Sequence, residues 1–255
     1  AYIHGGDLEF ANMKSYIYNS GYDEVIGKFE FDKKFWNSKW GAHDEIVLEK
    51  TLEKANQLKQ PFFTTTFTLS SHEPFEIPIP PVFKGDDKET KFLNSLYYTD
   101  KCIGDFIREA KKQNWWNNTL IIIVADHGHT LPGSIYPTRE PSEFKIPMLW
   151  LGGALTVKDT VEQIGSQCDI ATTLLTQLNI PATNFKFGKD LLNPQSMPFA
   201  YYSYNDGFGM VFKDKYYLFD NKSQKRIESK GEISPLEEAI GKSYLQVSFE
   251  DFLNK

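Results

Sequence analysis

LIIIVADHGH, residues 120–129, is the stretch on which the reading of this sequence turns. Leu120 to Ala125 form an unbroken apolar run of strand length, the pattern of a strand buried on both faces. The run then changes at once to Asp126, His127, Gly128 and His129. A strand that ends in a carboxylate and two imidazoles acts as a rigid arm that holds polar groups out at its tip.

Working outward, elements alternate. Upstream, a long helix places Phe92, Leu96, Ile103, Phe106 and Ala110 along one face. EIPIPPVFKGDD (76–87) is a proline-rich loop, and PFFTTTFTL (61–69) has the β-branched and aromatic richness of a strand. WGAHDE (40–45) opens a helix with Leu48, Leu52, Ala55 and Leu58 at helical spacing. Tyr2 and Ile3 form a short strand before HGGD, and a helical pattern with Phe10, Met13 and Ile17 stops near Gly21. Downstream come an irregular loop (130–147), a strand in PMLWLGG (147–153), and a helix in CDIATTLLTQLNIP (168–181) capped by Asp169. FAYYSYN, FGMVFK and KYYLFD read as antiparallel strands joined by NDG and KDK turns, followed by an amphipathic helix from Pro235 to Leu253. The expected fold class is α/β, with a largely parallel central sheet and a small C-terminal antiparallel appendage.

The chain has 255 residues, 40% of them hydrophobic and 15% aromatic, enough for a substantial core. A net charge of −6 with no basic block argues against nucleic acid as a partner. No run of roughly 20 apolar residues offers a membrane span. Cys102 and Cys168 are the only cysteines, and Cys102 on an apolar helix face reads as a buried free thiol.

The five histidines are His4, His43, His72, His127 and His129. Four of them follow predicted strands, and ligands of open parallel sheets bind beyond the carboxyl ends of strands. Asp126 and His127 supply adjacent oxygen and nitrogen donors suited to Mn²⁺ or Zn²⁺ more than to Ca²⁺. His72 and His129 can bind an oxyanion or give a proton to a leaving group. Plainer roles serve other positions: Asp7 and Asp44 as helix caps, His43 as a residue away from the site. Ser70, Ser71 and Thr130 carry hydroxyls with no base placed beside them in sequence.

Taken together and in order, HGGDLEFANM, WGAHDE, PFFTTTFTLSSHEPF and LIIIVADHGH resemble the sulfatase-like branch of the alkaline phosphatase superfamily. The likeness is greatest to lipoteichoic acid synthases and phosphoglycerol transferases, and FKIPMLWLGG, CDIATTLLTQLNIP and FGKDLL extend it downstream. The resemblance implies an alkaline-phosphatase-like sandwich whose metal activates a threonine or serine nucleophile. It matches Asp126 and His127 to paired metal ligands, and His4 and His72 to contacts with the substrate phosphoryl group. Where those synthases carry a tryptophan and an arginine, this sequence has Ala11 and Met13, which bears on the head group.

The resemblance also implies that the nucleophile and a further acidic ligand lie upstream, so that residues 1–198 are the C-terminal part of a catalytic domain. Residues 199–255 then pack on that same domain. The expected function is a metal-dependent, phosphoglycerol-type transferase or phosphodiesterase, with His72 and His129 catalytic. One divalent metal is expected, Mn²⁺ first and Zn²⁺ or Mg²⁺ as alternatives. The expected partners are an anionic lipid or glycan bearing a phosphodiester and the upstream part of the polypeptide, with no protein partner. Family likeness places such an enzyme at the outer face of the cytoplasmic membrane or in the periplasm, anchored by upstream helices. Two alternatives stay open: a sulfatase, which the Asp-His pairing rather than Asp-Asn disfavours, and a non-catalytic module that binds anionic head groups.

Overall fold

The computed structural model describes residues 1–130 and 139–254, so most of the irregular loop expected at 130–147 lies outside the described residues. Two compact units divide the chain: residues 1–121 with 150–156, and residues 122–149 with 157–255.

The first unit contains β1 (Tyr2–His4), α1 (Met13–Asn19), β2 (Val25–Ile26), α2 (Asp44–Gln57), β3 (Thr65–Phe67) and α3 (Lys88–Ala110). Its sheet has the order β2-β1-β3, with both pairings parallel, and the register sets His4 opposite Phe67. Successive strand residues face opposite sides. Ile3 accordingly packs with Ile26, Phe31, Ala42 and Val47, while Tyr2 packs with Leu8 and Ile17. The strand expected over 61–69 shortens to three residues because its partner β1 is itself only three long. β2, two residues long, carries too little pattern to be anticipated.

Along α2, Val47, Leu48, Thr51 and Ala55 are buried, a spacing of three to four that makes one inward face. Asp87 caps α3 by accepting from the Thr90 amide at 2.9 Å. Its buried line runs Phe92, Ser95, Tyr98 and Cys102, so Leu96, about 100° beyond Ser95, is 42% exposed rather than inside. Cys102 is a buried free thiol, and burial pushes its pKa up to about 11.

β4 (Ile121–Val124) and β5 (Met148–Leu151) form a two-stranded sheet. With one partner strand each, they are less covered than the apolar run suggested: Ile121 to Ile123 are half-buried and Val124 is exposed.

The second unit also holds α4 (Asp169–Gln177), β6 (Phe199–Tyr204), β7 (Gly207–Phe212), β8 (Lys215–Asp220), β9 (Lys225–Lys230) and α5 (Pro235–Leu253). Strands β6 to β9 form an antiparallel meander in sequence order. The first two hairpins close through Asn205-Asp206 and Lys213-Asp214, where Asp206 and Asp214 take φ of 66° and 62°, a left-handed conformation that aspartate tolerates better than most side chains. β9, KRIESK, was not anticipated because it is a charged, exposed edge strand without an apolar stripe. Phe208, Met210, Phe212, Tyr217 and Phe219 form the core of this unit, with Ile240 and Leu245 of α5 against it. α5 begins in a capping box: Ser234 Oγ accepts from the Glu237 amide at 3.2 Å, and Glu237 Oε2 accepts from the Ser234 amide at 2.9 Å. Asp169 is the first residue of α4 and not its cap.

Candidate functional site

In the first unit the site is assembled where two glycine-bearing segments cross. The Ala42 amide donates to the Gly5 carbonyl at 3.0 Å, and Gly6 bridges to Gly41. Gly41 has φ of 145°, and a Cβ there would collide with the Gly5 carbonyl oxygen. HGGD and WGAHDE therefore need their glycines to bring the start of α2 beneath the end of β1.

His4 ends β1, is 3% exposed, and packs edge-on against Phe67 at 5.4 Å. Its Nδ1 is buried and makes no hydrogen bond among the described residues. A side chain at position 6 would fall 2.7 Å from His4 Nε2, so Gly6 keeps that nitrogen uncrowded. The parallel pairing of β1 with β3 puts the Leu69–His72 turn at the same sheet edge as His4.

His43, set aside on sequence grounds, belongs to this cluster. Its Nδ1 lies 3.2 Å from Ser70 Oγ, and Ser70 Oγ accepts from the Asp44 amide at 3.1 Å. Asp44 is fully buried and is no cap: Oδ1 accepts from the amides of Leu69 (2.8 Å) and Ser70 (3.0 Å), and Oδ2 from Thr99 Oγ1 (2.6 Å). Asp7, likewise expected as a cap, accepts from the Glu9 amide at 2.9 Å in a turn. His72 is exposed, and together with Trp40, His43 and Ser70 it lines a shallow pocket. The contact of Trp40 with His72, at 4.6 Å between rings, had no sequence signal because 32 positions separate them.

Burial holds the pKa of His4 below the ordinary histidine range, opposed by a backbone contact with Phe67; burial does the same at His43, opposed by the Asp44 carboxylate. An unfolded imidazole takes up its proton near pH 6.5, whereas these resist until lower pH. The unfolded state then binds more protons, so stability is full above about 6.5 and falls as pH drops toward the lowered folded values. Urea midpoints measured at pH 7.5 and 5.5 should show that loss, and His43→Gln should shrink it. An unchanged loss in the variant would remove His43 from the account.

In the second unit, Asp126 and His127 follow β4 with both side chains exposed, and His127 Nε2 lies 3.5 Å from Asp126 Oδ2. His127 Nδ1 donates to the Gly128 carbonyl at 2.7 Å, which leaves Nε2 as the ring's lone-pair nitrogen. Two donors about 2.1 Å from one ion lie about 3.0 Å apart on an octahedral edge and about 3.4 Å apart on a tetrahedral one, so this pair comes within a small side-chain adjustment of either shell. Among the described residues no third His, Cys, Asp or Glu completes a cluster able to hold a metal. Gly128 packs so closely that a Cβ would collide with the Glu143 carbonyl oxygen, and Gln167 Nε2 donates to the carbonyls of Ala125 (2.8 Å) and Asp126 (2.9 Å). His129, also exposed, donates from Nδ1 to the Thr130 carbonyl at 2.6 Å.

Comparison with known proteins bears directly on this arrangement. The sulfatase family model matches residues 1–180. Phosphoglycerol transferase I of Xanthomonas campestris pv. campestris (strain B100) is 28% identical over 211 residues, covering 78% of this chain and 30% of the relative. Lipoteichoic acid synthase 2 of Bacillus subtilis (strain 168) is 23% identical over 270 residues, 97% of this chain and 41% of the relative. The chain thus spans about three to four tenths of the length of these curated relatives. Among solved structures, a protein in the alkaline phosphatase superfamily from Vibrio parahaemolyticus superposes with TM-score 0.82 at 25% identity, over 99% of this chain and 65% of the other. The lipoteichoic acid synthase LtaP from Listeria monocytogenes gives 0.77 at 21%, over 100% and 69%. The fold is that of the alkaline phosphatase superfamily. With the family model matching from β1 through α4, the chain belongs to the sulfatase family.

Proposed function

We propose that this chain forms the metal- and phosphoryl-facing part of a phosphoryl-group transferase or phosphodiesterase of phosphoglycerol type. Its substrate is an anionic lipid or glycan that carries a phosphodiester. The observation that carries the reading is the Asp126–His127 pair, with two donor atoms 3.5 Å apart and the imidazole tautomer fixed through Gly128. A bound divalent ion, Mn²⁺ first and Zn²⁺ or Mg²⁺ as alternatives, supplies Lewis-acid neutralisation of charge at the attacked phosphoryl group.

His4 and His72 hold non-bridging phosphoryl oxygens, and Gly6 leaves His4 Nε2 room to do so. His129 or His72, protonated at Nε2, donates to the leaving oxygen. The attacking hydroxyl comes from polypeptide beyond these 255 residues, a reading supported by the share of each relative that the chain spans. The same reading places the enzyme at the outer face of the cytoplasmic membrane or in the periplasm, anchored elsewhere in the polypeptide. No helix among the described residues is long and apolar enough to cross a membrane.

Calorimetric titration of Mn²⁺ into the 255-residue chain tests the metal pair. Saturable binding should weaken at least about tenfold in Asp126→Ala, the scale of losing one oriented ligand. Equal binding by the two chains overturns the assignment.

A further inference from the structure

We infer that Gln167 is a positioning residue for the Asp126–His127 pair, its side-chain amide holding the bend that turns both donors out at the tip of β4. The inference rests on the reading of that pair as metal ligands. At the end of β4 the Ala125 amide still donates to the Pro147 carbonyl, next to β5, at 3.4 Å. The carbonyls of Ala125 and Asp126 accept instead from Gln167 Nε2, at 2.8 and 2.9 Å. Carbonyl oxygens only accept, so the side-chain nitrogen of Gln167 faces them and not its oxygen, with one proton for each.

Those two carbonyls belong to the peptide planes on either side of the Asp126 Cα. In an extended strand the carbonyls of neighbouring residues point in opposite directions, so one nitrogen cannot serve both. Serving both fixes the rotation of one plane against the other, and with it the φ and ψ of Asp126. The chain accordingly leaves the strand after Val124 and bends at Asp126 and His127. The ψ of Asp126 sets where His127 lies relative to the carboxylate, whose Oδ1 accepts from the His127 amide at 2.9 Å and whose Oδ2 lies 3.5 Å from His127 Nε2. Both ligand side chains are exposed, so close packing does not hold that separation.

Gln167 is exposed as well, but its backbone is anchored. It sits in the turn leading into α4, and its carbonyl accepts from the Ile170 amide at 3.1 Å. Beside it, the Ser166 amide donates to the buried Asp169 carboxylate at 2.7 Å, and Ser166 Oγ accepts from the Tyr201 amide of β6 at 3.3 Å. Asp169 is paired in turn with Lys189 at 2.6 Å. The tether therefore starts from a fixed point and spans 41 positions of sequence to reach Asp126.

The test is Mn²⁺ calorimetry of the 255-residue chain with Gln167→Met and Gln167→Glu, together with the three-bond amide coupling of Asp126, which reports its φ. Urea midpoints show whether each variant folds. Methionine keeps the length and loses the donors; glutamate keeps the shape and sets an acceptor against two carbonyls. Both variants should bind Mn²⁺ about tenfold more weakly, the scale of losing an outer-shell partner, and the Asp126 coupling should change. Glutamate separates positioning from charge, because an added carboxylate near a cation by itself tightens binding. A merely structural Gln167 would lower the urea midpoint and leave Mn²⁺ affinity unmoved. Wild-type affinity in both folded variants overturns the inference, as does tighter binding in Gln167→Glu. If wild type binds no Mn²⁺, the metal-ligand reading falls and the coupling decides alone: a change in both variants supports the tether, and no change overturns it.

Discussion

Asp44→Ala should lower the stability of the chain by about 3–5 kcal/mol, measured as the shift in urea unfolding free energy. The carboxylate is fully buried. Its charge is balanced by donors: the amides of Leu69 and Ser70 on one oxygen and the Thr99 hydroxyl on the other. Alanine leaves two backbone amides buried without acceptors and opens a small void, and each orphaned donor costs about 1–3 kcal/mol. Asp44→Asn keeps one oxygen acceptor and should cost less than half as much. The Leu69–His72 turn hangs on this carboxylate, so phosphate binding at His72 should weaken with stability in Asp44→Ala. A variant as stable as wild type would show that water enters and replaces the carboxylate.

Asp169→Ala should be comparably damaging in the second unit, by about 3–5 kcal/mol, because it breaks a buried ion pair from one side. Asp169 is 1% exposed; Oδ2 accepts from Lys189 Nζ at 2.6 Å and from the Ser166 amide at 2.7 Å, and Oδ1 from the Lys189 amide at 2.9 Å. Without it the Lys189 ammonium keeps, among the described residues, the Phe199 carbonyl at 2.8 Å and the Phe199 ring at 4.5 Å. The double variant Asp169→Ala with Lys189→Met removes the stranded charge and should recover part of the loss, though not the part due to the two amides. Differential unfolding of the single and double variants separates these contributions. No recovery in the double variant would assign the whole effect to the amides.

The two aspartates also show what sequence reasoning can and cannot supply. Both stand at helix starts, where the sequence predicts caps because acidic residues at such positions commonly accept from amides of their own first turn. Each instead reaches across to a loop distant in sequence, Asp44 to residues 69–70 and Asp169 to residue 189. His43 went unrecognised for the same reason: nothing local announces its neighbour Ser70, 27 positions on. The tautomers of His72, His127 and His129 were equally invisible, since each depends on where the next residue's carbonyl points.

The sequence by itself determined the alternation of strands and helices, the turn residues of the tail, and the ordered motifs that mark a sulfatase-family chain. These are local patterns of period and composition, or short motifs whose spacing is written along the chain. Tertiary structure alone decided which glycines must be glycines, which aspartates hold loops rather than ligands, and which histidine nitrogen is left for chemistry. These outcomes depend on carbonyls, amides and rings brought together from far along the chain, and on burial, which sets what an unpaired polar atom costs.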